Sequence, residues 1–206
     1  SSDKDFKGEI NFKPFYFSSD LNFNYISQKK IFQSESLLID LLDSELLNNS
    51  NLNASINIKI NKIDKFEYLQ NFISKIHLGD GKILMKNFKT QWNECVLIKS
   101  NEIEFINDID GKKLVGEIIF NFEDIEKFFR YFQIKRNYRD VFETIKLDFI
   151  YDLTLNKLIM NNLRIDGKSF KKINKFLNQN NKSDKNYFNK VTLRNFIKEF
   201  FKIHAG

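Results

Sequence analysis

The stretch NLNASINIKINKI, residues 51–63, alternates apolar and polar side chains. Its apolar positions are Leu52, Ala54, Ile56, Ile58 and Ile60. Since successive side chains of a strand point to opposite faces, the pattern predicts a β-strand with one apolar face. About ten residues is long, because strands commonly have about five or six. The apolar face therefore either packs on a core or is offered to a ligand.

The same period-two alternation recurs along the chain and predicts a mainly β protein with some eight or nine long strands. The recurring sets are Phe15, Phe17, Leu21, Phe23 and Tyr25; Leu114, Ile118, Phe120 and Phe122; and Ile145, Leu147, Phe149, Tyr151 and Leu153. Asp-Gly pairs at 80–81, 110–111 and 166–167 are typical of hairpin turns. Short connections favour an antiparallel meander, which we expect to be strongly twisted and curved.

Four segments have apolar residues at helical spacing, so the expected class is α+β. They are 34–47, with Ser34 as a cap, 123–134, 169–179 and 189–203. We expect these helices to flank and cap the sheet of a single region, 1–206.

The composition is that of a folded protein. Hydrophobic residues make up 42% of the chain and charged residues 29%, and the 23 Phe exclude a disordered chain. The sequence has no run of about 18 apolar residues, so it predicts no membrane-spanning helix. It begins SSDKDF, without Met, and we expect it to be a fragment of a longer protein.

Basic residues are concentrated in a C-terminal helical segment, 168–206, which holds ten Lys or Arg and two acidic residues. In the last predicted helix the cations are spaced four apart, opposite a stripe of Phe and Leu. We predict that they contact an anionic membrane surface: Lys190, Arg194, Lys198 and Lys202. Nucleic acid is a weaker alternative, because Arg is sparse here and the Phe residues lie on the apolar stripe.

Groups for catalysis are few. The only imidazoles are His77, predicted on an exposed strand position, and His204, predicted at a frayed terminus. Cys95, in NECVLI, is interpreted as a small buried hydrophobe. The sequence predicts no enzyme, no metal site and no cofactor.

Several of these motifs together resemble the C-terminal region of AsmA-like proteins. The alternating strand Asn51 to Ile60 follows an apolar helix and precedes a hairpin with Asp80-Gly81 at its turn. The closing NKVTLRNFIKEFF is similar to the terminal helix of that family. The resemblance covers most of the chain.

The resemblance implies a Gram-negative periplasmic protein, tethered to the inner membrane by a segment that this sequence does not contain. It implies a sheet rolled into an open groove, and a role in moving phospholipid between membranes or in outer-membrane assembly. The candidate lipid-binding residues are Leu52, Ala54, Ile56, Ile58, Ile60, Ile118, Phe120, Leu147 and Phe149. Expected partners are phospholipid, a membrane surface and an unidentified envelope protein. The alternative is a structural or interaction domain with a closed core.

Overall fold

A computed structural model describes residues 4–12, 15–26, 53–63, 68–108, 111–183, 187 and 189–206. The predicted helix 34–47 with its Ser34 cap, the candidate residue Leu52 and Asp110 of the second predicted turn lie outside these residues.

The described chain is mostly β and forms one ten-stranded sheet in sequence order. Nine strands are long and the last has two residues. They are β1 Lys4–Phe12, β2 Phe15–Ile26, β3 Ala54–Ile63, β4 Leu69–Gly79, β5 Lys82–Trp92, β6 Val96–Asp108, β7 Gly111–Phe122, β8 Thr144–Asp152, β9 Lys157–Ile165 and β10 Lys168–Ser169. The predicted meander of long strands is therefore confirmed.

The sheet is mixed, so the antiparallel prediction is wrong for one pair. β2 and β3 are parallel, with Phe17 opposite Ala54 and Leu21 opposite Ile58, and every other neighbouring pair is antiparallel. A parallel pair needs a crossover of about a dozen residues or more, and residues 27–53 supply that length between β2 and β3. The antiparallel prediction assumed short connections throughout, and the connection between β2 and β3 is long.

The two Asp-Gly turns within the described residues form as predicted. Asp80 and Gly81 have φ of 54° and 71°, and Asp166 and Gly167 have φ of 47° and 77°. Positive φ at both central residues matches the right-handed twist of the flanking strands.

Three α-helices follow the strands of the second half: α1 Ile125–Phe132, α2 Lys171–Asn181 and α3 Lys190–Ala205. They agree with the predictions at 123–134, 169–179 and 189–203. α1 begins where Asp124 Oδ1 accepts a hydrogen bond from the Lys127 amide at 2.7 Å, and α3 begins at Asn189, whose Oδ1 accepts from Val191 and Thr192.

α2 is fixed to the edge of the sheet beside β9. The Asn181 side chain accepts from the Met160 amide at 3.0 Å and donates to the Met160 carbonyl at 2.8 Å. β10 pairs only with Arg164 and Ile165, so it does not satisfy this part of the β9 edge. The asparagine supplies the hydrogen bonds that a neighbouring strand would otherwise make.

Candidate functional site: the apolar face of the sheet

Strand registers place the predicted lipid-binding residues on one face. Ala54, Ile56 and Ile58 lie opposite Leu78, Ile76 and Ser74, and the register continues through β5 and β6 to Ile118 and Phe120 of β7. Ile118 in turn lies opposite Leu147 of β8. All eight candidates within the described residues therefore share a face, which we call the apolar face.

The apolar face divides into two parts that differ in what covers the strands. The first, the helix-covered part, packs strand residues against α1, α2 and α3. Its buried members are Cys95, Val96, Phe128, Phe129, Phe132, Ile134, Phe142, Ile145, Leu147, Met160, Leu163, Ile165, Ile173, Phe176, Leu177, Phe200 and Phe201. Phe120 packs against this cluster, so Phe120 and Leu147 lie under helices.

The second, the strand-only part, contains no helical residue within the described chain. It consists of three adjoining clusters of side chains from the strands and from the turn after β8. Their members are Ala54, Ile76, Leu78, Ile83 and Phe105; Ile60, Ile63 and Phe72; and Ile103, Phe149 and Tyr151, with Phe17, Phe23, Ile26, Ile56, Ile58, Met85, Phe88, Leu114, Ile118, Leu153 and Leu158 packed against them.

The candidates differ in exposure within the strand-only part. Ala54, Ile60 and Phe149 are buried, whereas Ile56, Ile58 and Ile118 are half-buried. Along β3 the buried Ala54 and Ile60 flank the half-buried Ile56 and Ile58, whereas a wholly covered strand would bury all four. The half-buried residues are the ones able to contact a ligand.

The apolar face contains a few hydroxyl groups, and two of them donate hydrogen bonds to backbone carbonyls. Thr90 donates to the Gln70 carbonyl at 3.0 Å and Ser100 donates to the Glu102 carbonyl at 3.1 Å. Both lie near β-bulges, where the register shifts. Ser19 is different: it is 3% exposed and its Oγ has no hydrogen-bond partner among the described residues. Ser19 lies opposite Ile56 in the parallel pair.

Gly116 belongs to the same face and is required by close packing. A Cβ at this position would lie 3.0 Å from the Glu102 carbonyl oxygen and 3.2 Å from the Ile103 Cα. Any side chain here would separate β6 from β7, so glycine keeps the apolar face continuous across this pair.

The four predicted cations of α3 do not form one free stripe. Lys190 Nζ lies 5.6 Å from the centroid of the Tyr68 ring, a cation–π contact, and Arg194 lies close enough to Tyr131 to act on its phenol. Burial and a hydrogen bond with Tyr68 raise the pKa of Tyr131 to about 12, against the opposing effect of Arg194. Contact of Lys198 and Lys202 with an anionic surface stays a prediction.

The possible nucleophile and bases are dispersed. Cys95 is fully buried, as predicted, and burial raises the pKa of its thiol to about 11. His204 was predicted at a frayed terminus, which is wrong: its side chain is 9% exposed, contacts Phe142, Phe170 and Phe200, and has Nδ1 3.4 Å from Asp140 Oδ2. The aromatic residues on α3 and before α2 enclose it, which the terminal position did not suggest.

Within the described residues no group of three or more His, Cys, Asp or Glu is arranged to hold a metal ion, and no helix is long and apolar enough to cross a membrane. No family model, curated protein or solved structure matches this chain.

Proposed function

We propose that the strand-only part binds the acyl chains of phospholipid, and that the protein is a non-enzymatic AsmA-like module of the Gram-negative envelope. In this proposal it lies in the periplasm, tethered to the inner membrane by a segment outside this sequence. It conducts phospholipid between membranes and so supports outer-membrane assembly. The observation that carries the proposal is the large apolar sheet surface on which α1, α2 and α3 do not pack.

Acyl chains need apolar surface and no reacting group. Removing tail surface from water contributes about 25 cal/mol per Å², so a row of half-buried side chains can hold a chain without a catalytic residue. Ile56, Ile58 and Ile118 provide such surface, together with Phe23 and Met85. We further propose that twist curves the sheet and makes this face concave.

The Ser19 hydroxyl gives the proposed site one polar contact. A buried hydroxyl without a partner costs about 1–3 kcal/mol, and this one lies beside the half-buried Ile56. The ester carbonyl oxygen of a phospholipid would accept a hydrogen bond from this hydroxyl. Phe120 and Leu147 are excluded from the proposed site because they lie under the helices.

Native mass spectrometry of the purified protein, followed by organic extraction and lipid analysis, tests the proposal. We expect phospholipid bound in a discrete stoichiometry and lost in Ile56→Ser/Ile58→Ser, a variant that makes the β3 surface polar. The matched control, Asn57→Ser/Asn61→Ser, changes polar residues on the opposite face of the same strand and should keep the lipid. Protein that is free of lipid after gentle purification and after incubation with phospholipid vesicles contradicts the proposal.

The second candidate is an interaction domain with a closed core, and one observation favours it. Ile76 and Ile83, at the centre of the strand-only part, are each 1% exposed. In that case the apolar face is satisfied within the protein, and an envelope protein is the expected partner. The same mass spectra separate the two candidates, because a closed core holds no lipid.

A further inference from the structure

The opposite face of the sheet carries a row of cations that runs across the strands. The registers place Lys59 opposite Ile73, Ile73 opposite Lys89, Lys89 opposite Lys99, Lys99 opposite Ile119, and Ile119 opposite Lys146. These six residues, from β3 to β8, form one cross-strand row, which we call the lysine row. At about 4.8 Å between strands it spans about 24 Å.

The lysine row has no counter-ion among the residues that the structure describes. Lys59, Lys89, Lys99 and Lys146 are exposed or half-buried, and none has an ion pair with a described residue. Lys75, next to the row on β4, is also unpaired among the described residues. Lys89 and Lys99 are directly opposite each other, and like charges in that position destabilise a sheet. The fold therefore tolerates repulsion between Lys89 and Lys99.

The described carboxylates on the same face of β6, β7 and β8 are already occupied. Glu104 pairs with Lys82 at 3.0 Å and Glu102 with Lys86 at 3.6 Å. Arg164 lies 3.5 Å from Glu117 and 3.9 Å from Asp148, while Asp152 accepts amides of the following turn. Lys82 and Lys86 therefore pair with Glu104 and Glu102, and Glu117 and Asp148 share one guanidinium, so none of these carboxylates forms an ion pair with a lysine of the row.

We propose that the lysine row is a docking surface for an anionic lipid bilayer. Lysines supply point charges without the fork geometry of Arg, which suits headgroups of no fixed arrangement. Ile73, 42% exposed in the row between Lys59 and Lys89, provides an apolar side chain that enters the headgroup layer. The row contains no aromatic side chain on which bases could stack, which disfavours single-stranded nucleic acid.

This inference goes beyond the proposed function, because it concerns the opposite face and does not require acyl-chain binding. It also assigns the main contact with an anionic membrane to the lysine row of the sheet, where the sequence had predicted the cations of α3. A protein of this kind would have one face for headgroups of an intact bilayer and the other for the chains of a single lipid.

Vesicle co-sedimentation tests it, using phosphatidylcholine vesicles with and without phosphatidylglycerol. We expect binding only to the anionic vesicles, weakening as salt is raised. Lys89→Glu/Lys99→Glu should weaken binding by about 25-fold or more, since each lysine near an anionic surface contributes roughly five-fold. Lys198→Glu/Lys202→Glu on α3 changes the net charge equally and should have the smaller effect.

Unchanged vesicle binding by Lys89→Glu/Lys99→Glu would overturn the inference, and so would a greater loss of vesicle binding in the α3 variant. It would also be overturned if the unmutated protein binds a single-stranded oligonucleotide and Lys89→Glu/Lys99→Glu alone loses that binding while it still binds vesicles. Thermal melting of both variants verifies that they fold. An Ile73→Asn variant, in which charge is unchanged, should bind the anionic vesicles less tightly. Failure to find co-purified phospholipid would count against the acyl-chain proposal alone.

Discussion

The helix-covered part and the strand-only part are built from the same alternating strands, yet only one has a second layer among the described residues. In the helix-covered part, Phe129 of α1 and Phe201 of α3 are 0% and 1% exposed, with ring centroids 5.1 Å apart. On β3, Ile56 and Ile58 keep part of their surface exposed. Alternation thus identifies a face, and the neighbouring layer determines whether that face is a core.

Truncating one aromatic ring in each part should give the largest difference in the free energy of unfolding. Phe129→Ala should lower the free energy of unfolding by about 3–5 kcal/mol, because it leaves a cavity under α1. Phe88→Ala, at a half-buried ring 5.4 Å from Phe72, should cost less than half of that. Urea titrations measure both. Equal losses would show that the strand-only part is packed like a core.

Substitution of Ser19 should change the free energy of unfolding by a smaller amount. Ser19→Ala removes the unpartnered hydroxyl, so the lipid-free protein should be unchanged or more stable by about 1 kcal/mol. Phospholipid retention should fall at the same time. Thr90→Ala is the matched control, since Thr90 donates to the Gln70 carbonyl and its loss should destabilise. Destabilisation by Ser19→Ala would mean that the hydroxyl has a partner within the protein.

An effect confined to alkaline pH concerns the protonation of Cys95 in the helix-covered part. Its pKa is raised by burial from 9.0 to about 11, so the folded state holds the thiol proton more tightly than the unfolded state. The resulting stabilisation is complete below about pH 9 and is lost as the pH rises toward 11. Cys95→Ala should remove this part of the alkaline dependence in melting curves.

Thiol labelling of Cys95 provides a second measure of the same region. At neutral pH the buried thiol should react only when the helix-covered part opens. Rapid labelling of the folded protein would contradict the burial of Cys95.

The period-two pattern and the helical spacings were sufficient to predict the long strands, the three described helices and the turns at 80 and 166. The parallel pair could not be predicted in this way, because its cause is a long connection rather than a pattern within β2 or β3. Bulges were also missed, although Asn71, Asn87 and Asn162 have positive φ where the register shifts. Asparagine tolerates that conformation, so its frequency in the strands was an available signal.

The sequence predicted which candidate residues share a face of the sheet, but not which of them remain exposed. Parity placed Ile58, Ile118 and Leu147 together correctly, since strand registers preserve parity. It could not tell that Leu147 lies under helices and Ile58 does not, because that depends on where the second layer packs. The lysine row was missed for a similar reason: its members are far apart in sequence and meet only through the registers.

Lipid binding on the strand-only part is tested most directly by a matched pair of carboxylates, Ile58→Asp and Leu147→Asp, compared by thermal melting and by co-purified phospholipid. Leu147→Asp should lower the free energy of unfolding by several kcal/mol, on the order of the stability of a whole domain, because it buries an uncompensated charge. Ile58→Asp should keep most of the melting temperature while losing the lipid. A collapse in melting temperature for Ile58→Asp as well, with no lipid in the unmutated protein, would show that this face touches only its own chain.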